Sequence, residues 1–152
     1  METIDKKIDI VNAAIEINND RIAGYEKAME LCNESEEQDL TLLFQKYKEQ
    51  SENFKDELLP YVQQFGAEPE EGTMVSGKLF RLWMDIKSLV APYTSKAVLE
   101  SCEKGEDEFR DAYKKILNDA LEDYPGIVDL LQAQVADQQI AHQHIKELRD
   151  RT

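Results

Sequence analysis

Four stretches of the chain carry apolar side chains at alternating steps of three and four, the spacing that lines one face of an α-helix. The first seam runs Ile4, Ile8, Val11, Ile15, Asn18, Ile22, Tyr25, Met29. The second runs Leu40, Phe44, Tyr47, Ser51, Phe54, Leu58, Tyr61, Phe65. The third is Leu99, Cys102, Glu106, Phe109, Tyr113, Ile116, Ala120, and the fourth Val128, Leu131, Val135, Gln138, His142, Ile145. Each seam is broken near its middle by polar side chains. The pattern predicts an all-α, antiparallel four-helix bundle with a polar layer at mid-height.

Punctuation places the helices at about residues 5–32, 36–65, 95–121 and 126–149, in one domain spanning 1–152. Thr3 is a candidate N-cap for the first, and Ser35-Glu36-Glu37-Gln38 reads as a capping box for the second. The turn at 33–35 is short, which makes the first two helices antiparallel neighbours. Gly66 suits a C-cap. Pro60 removes a backbone hydrogen bond at a cost of ~3 kcal/mol in a regular helix. The seam continues past it, so a kink rather than a stop is expected. Ser95 is the expected N-cap of the third helix, and Tyr124-Pro125-Gly126 marks the start of the fourth.

Residues 66–95 are too many for a simple bundle loop. Within them Val75, Leu79, Leu82, Trp83, Ile86, Leu89 and Val90 predict a short amphipathic helix at about 74–90. A helix of ~15 residues covers ~23 Å, most of a bundle's height. The segment therefore reads as a crossover that returns the chain to the opposite end and packs Trp83 against the bundle.

The expected polar layer consists of Asn18, Ser51, Glu106, Gln139 and His142, with Glu106 and His142 as its charged pair. A di-metal carboxylate bundle instead takes one Glu from each of two helices and a Glu-x-x-His pair from each of the other two. Here Gln139 stands where the carboxylate before His142 is needed, and Ser51-Glu52-Asn53-Phe54 lacks both ligands. No metal is expected on this reading. The alternative is a reduced single-metal site, such as zinc, on Glu103, Glu106, His142 and a water. His144 lies roughly 200° around the helix from His142 and is expected to face solvent.

Composition narrows the function. The 152 residues include 32 acidic and 18 basic side chains, a net charge of −14. That balance argues against nucleic acid or an anionic membrane as partner. Residues 1–9 carry no apolar signal-peptide core, and no apolar run is long enough to span a bilayer. Cys32 and Cys102 lack CxxC spacing and read as buried thiols in a reducing cytoplasm. No serine triad, phosphate-cradling glycine loop or cysteine nucleophile motif is present. No catalytic residue and no cofactor is expected.

The segments IEINNDRIAGYEKAM, QQFGAEPEE, RLWMDIKS, ESCEKGEDEF and AHQHIKELRD resemble an uncharacterised bacterial family of ferritin-like four-helix-bundle proteins, a domain of unknown function. The resemblance covers nearly the whole chain. It implies a ferritin-like topology in which the link between the second and third helices traverses the bundle. It also implies metal-ligand positions at Asn18, at Ser51 and Phe54, at Glu106 or Glu103, and at Gln139 and His142. Asn18, Ser51, Phe54 and Gln139 depart from that pattern, which argues against ferroxidase or oxygen chemistry. The expectation is a non-catalytic cytoplasmic bundle with a structural, stress-associated or partner-binding role, its partner a protein or a second copy of itself.

Overall fold

The computed structural model describes residues 2–33, 38–64, 83, 86, 94–120 and 125–152. Four helices follow one another: α1, Glu2–Asn33; α2, Gln38–Gln64; α3, Ser95–Ala120; and α4, Pro125–Arg151. The expected capping box, the C-cap at Gly66 and most of the crossover helix at 74–90 lie outside the described residues.

Local chemistry accounts for several helix ends. α3 is capped by Thr94, not Ser95: the Thr94 hydroxyl accepts the Ala97 N–H at 3.1 Å. That bond satisfies one of the N–H groups that the first turn leaves without an intrahelical acceptor. Pro125 opens α4, where its missing N–H costs nothing. α2 runs through Pro60 to Gln64, because the proline ring interrupts one bond while the buried side chains of Leu58 and Val62 hold the helix on either side. Thr3 lies inside α1 rather than capping it.

Cross-helix contacts give the directions. Arg21 of α1 meets Ser51 of α2 and Glu106 of α3. Further along α1, Tyr25 meets Phe44 and Tyr47 of α2. Higher numbers on α1 thus meet lower numbers on α2, so the two helices run antiparallel. Asn18 reaches Tyr113 while Arg21 reaches Glu106, so α1 and α3 are also antiparallel. The same reversal relates α3 to α4, through Tyr113–Gln134 and Glu103–Arg149. Apolar side chains from all four helices form one core, with Ile15, Phe44, Leu58, Leu99, Phe109, Leu131 and Ile145 at most 4% exposed between helices.

α1 is the most enclosed helix. Ile17, Asn18, Asn19, Asp20 and Arg21 are all buried in succession, so no face of this turn is free. Part of the covering comes from Trp83, whose indole sits in a notch between Gly24 of α1 and Gly105 of α3. A Cβ on Gly24 would lie 2.6 Å from the ring, and one on Gly105 only 2.3 Å. Trp83 is 1% exposed, and its ring centroid is 4.8 Å from that of Tyr25. Its backbone N–H reaches the Glu108 carboxylate at 3.2 Å. The backbone pays for this seat with a left-handed φ of 63°, a conformation costing on the order of 1 kcal/mol for a residue with a side chain.

Candidate functional site

The middle of the bundle is organised by Arg21, which the apolar seam passes over. On α1 the buried positions Ala14, Asn18, Arg21, Tyr25, Ala28 and Cys32 step by four and three. The predicted seam had placed Ile22 and Met29 inward, but both are half-buried. The helix is turned by about one position, and the guanidinium enters the core.

Its surroundings match a planar fork donor. Arg21 Nε donates to Glu106 Oε1 at 2.7 Å and Nη2 donates to Oε2 at 2.8 Å, a bidentate pair. Nη1 donates to Ser51 Oγ at 3.0 Å. The rings of Phe109, Tyr25 and Tyr47 lie 5.2, 5.5 and 6.0 Å from the guanidinium carbon. Both charged side chains are 0% exposed. Burial works against the arginine charge, but the Glu106 carboxylate together with the Tyr25 and Tyr113 phenols outweighs it, and Arg21 is held above its ordinary pKa.

One turn away, the polar layer continues. Asn18 Nδ2 donates to the Tyr113 hydroxyl at 2.7 Å, and that hydroxyl donates to Gln134 Oε1 at 2.7 Å. Gln134 Nε2 in turn donates to the Phe54 carbonyl and to Glu57. Gln138 Nε2 donates to the backbone carbonyl of Glu106 at 2.9 Å. Burial, and then the Glu106 carboxylate, push the Cys102 thiol well up, so it is a poor nucleophile.

Asn18, Ser51 and Glu106 of the expected layer are buried at the centre. Gln139 is half-buried and donates to its neighbour Gln138; Gln138, which stands on the expected fourth seam, and Gln134 are the buried glutamines of the layer. The expected Glu106–His142 pair does not form: Glu106 is taken by Arg21, and His142 sits at the α3–α4 rim with Nε2 2.7 Å from Asp107 Oδ1. The physical reason is the register of α4, whose inward positions are Gln134, Gln138, Ala141 and Ile145. The metal set Glu103, Glu106 and His142 is likewise not assembled. Instead Glu103, Asp107 and His142 each offer one ligand atom, all within 4.8 Å of one another. His144 does not face open solvent; its Nδ1 lies 2.8 Å from the Tyr47 hydroxyl. These two residues line a groove of about 640 Å³ between α2 and α4, with Gln50, Gln139, Ile140 and Ala141.

Arg21 and Gln134 were missed because arginine and glutamine are ordinarily surface residues. The available signal was positional. Arg21 is three after Asn18 and four before Tyr25, and Gln134 is three after Leu131 and four before Gln138.

Four antiparallel helices around a polar tier define a ferritin-like bundle. The chain belongs to the family described as a domain of unknown function (DUF2383), whose model matches residues 6–119. Among solved structures it is similar to one titled as ferritin like, diiron-carboxylate proteins from Bacillus anthracis str. Ames. The TM-score is 0.62 at 18% identity, over 92% of this chain and 97% of that one. No curated protein matches. Among the described residues, no helix is long and apolar enough to cross a membrane.

Proposed function

We propose that this protein is a non-catalytic ferritin-like bundle, structural or partner-binding, in which an internal arginine stands in place of a di-metal centre. The observation that carries this reading is the bidentate grip of Arg21 on Glu106. The side chains of a di-iron site do not fit here. Such a site needs about four carboxylates and two imidazoles converging from the helices. Among the described residues the buried carboxylates are Asp20 and Glu106, the latter with both oxygens engaged by Arg21, and the rest of the tier is Asn18, Ser51, Tyr113, Gln134 and Gln138, with no buried imidazole.

Electrostatics point the same way. Two unit charges about 4 Å apart interact by about 4 kcal/mol at an effective dielectric of about 20. A divalent ion beside the fixed guanidinium would meet about twice that as repulsion. The guanidinium itself supplies what ions supply in a carboxylate bundle, a positive charge that lets Glu106 remain inside. The two free, buried thiols suit a reducing compartment such as the cytoplasm.

Oxygen uptake with ferrous iron tests the reading. Protein supplied with two equivalents of Fe²⁺ in air should oxidise it no faster than buffer alone. Rapid, protein-dependent oxidation with saturation at two irons per chain would overturn it.

A further inference from the structure

We propose a second, unassigned site: a single divalent transition-metal site, of the zinc type, at the α3–α4 rim, formed by Glu103, Asp107 and His142. It does not rest on the reading of the interior, because Glu106 and Arg21 take no part in it.

Glu103 and Asp107 are four residues apart on α3, so their side chains leave the same face. His142 faces them from α4. The three ligand atoms lie within 4.8 Å of one another. Ligands about 2.0–2.1 Å from a tetrahedral zinc are about 3.3 Å apart, so small side-chain adjustments, including an opening of the 2.7 Å His142–Asp107 approach, bring the three atoms to that spacing. One imidazole and two carboxylates neutralise a divalent charge and leave a fourth position for water.

A second observation bears on the ligand. His142 Nε2 is shielded from solvent, yet it makes no hydrogen bond, although Asp107 Oδ1 is only 2.7 Å away. In the tautomer protonated at Nδ1 that nitrogen turns a lone pair toward the carboxylate, and a divalent cation bound by both atoms, once they move apart from 2.7 Å, gives it a partner. Two arginines hold the carboxylates: Arg149 is paired to Glu103, and Arg110 lies 3.2 Å from Asp107. They compete with the metal for those oxygens. Arg149 also bonds to Asp150 at 2.8 Å, so it has an alternative partner when it releases Glu103.

The chain has two histidines, which makes the test decisive. Chelator-treated protein is titrated with Zn²⁺ by calorimetry and with Co²⁺ by visible absorption. The expected result is one equivalent bound, with the intense absorption of four-coordinate Co²⁺. His142→Ala and Asp107→Asn each weaken binding at least ~10-fold; His144→Ala leaves it unchanged. Arg149→Gln tightens it several-fold, a gain that adventitious surface binding would not show. Should His142→Ala lose its helical circular dichroism, the near-isosteric Asp107→Asn carries the same test. Absence of stoichiometric binding, or binding that survives in folded His142→Ala and Asp107→Asn, would overturn the proposal and leave an ion-pair network only. Iron oxidation at the bundle centre would overturn the interior reading without touching this one.

Discussion

Replacing Arg21 by Met would leave the Glu106 carboxylate in the core with no counter-charge. Breaking a buried pair from one side costs about 3–5 kcal/mol, whereas replacing both partners by apolar residues is often neutral or stabilising. Arg21→Met is therefore expected to lower the free energy of unfolding in urea by about 3–5 kcal/mol. The double variant Arg21→Met/Glu106→Leu should recover most of that loss. Equal losses in the single and double variants would mean that the cost comes from packing against Phe109, Tyr25 and Tyr47 rather than from the stranded charge. The layer was only partly legible at this scale. Asn18, Ser51 and Glu106 announce themselves as polar interruptions of apolar seams. Arg21 occupies an equally inward position, but nothing local distinguishes it from a solvated arginine; only the carboxylate that α3 brings opposite it makes its burial tolerable.

Glycine inside a helix ordinarily weakens it, and replacement by alanine gains about 1 kcal/mol. Gly24 and Gly105 should behave in the opposite way. A methyl at either position would meet the Trp83 indole at 2.6 Å or less. The ring is wedged on both sides, and neither helix backbone can withdraw without opening the core around Tyr25 and Phe109. Gly24→Ala and Gly105→Ala are therefore expected to destabilise the protein, by an amount approaching the ~3–5 kcal/mol of a buried tryptophan lost to alanine. Trp83 is the only tryptophan, so its fluorescence reports the displacement directly: emission should shift to the red in both variants. Unchanged emission with raised stability would show that the notch is wider than described. At this scale the four helices, their order and their approximate ends follow from period and punctuation. The glycine notch does not, because it joins side chains from elements far apart in the chain.

For the molecule as a whole, alkaline pH is the condition that strains the centre. Burial, followed by the Glu106 carboxylate, raises the Tyr25 phenol well above its usual range and Tyr47 to about 12; the neighbouring guanidinium opposes both shifts. Burial raises Tyr113 too, against the hydrogen bond from Asn18. The folded state therefore keeps these phenols protonated where the unfolded chain, with pKa values near 10, ionises them. Their contribution to stability is fully present below about pH 10 and is lost as the pH rises through the folded values. Tyrosinate absorbance should show part of the six tyrosines titrating near pH 10. The remainder should ionise at higher pH, together with the loss of helical circular dichroism. A single transition for all tyrosines near pH 10, with the helices intact, would contradict the burial of this cluster.

The chain by itself determined the fold class. A helical period repeated four times, with short links at two of the three connections and a long one between, leaves an antiparallel bundle with a crossover as its natural packing, because each stripe must bury its apolar face. It also determined that the interior is polar at mid-height, since Asn18, Ser51, Glu106 and Gln138 fall on the seams. The tertiary structure alone decided which polar groups meet. A rotation of α1 by one position exchanges Ile22 for Arg21, and the register of α4 keeps Gln138 inward while exchanging Val135 for Gln134 and His142 for Ala141. Such rotations cost little in any one helix. They are settled only when all the helices pack together and each buried charge or amide must find its partner.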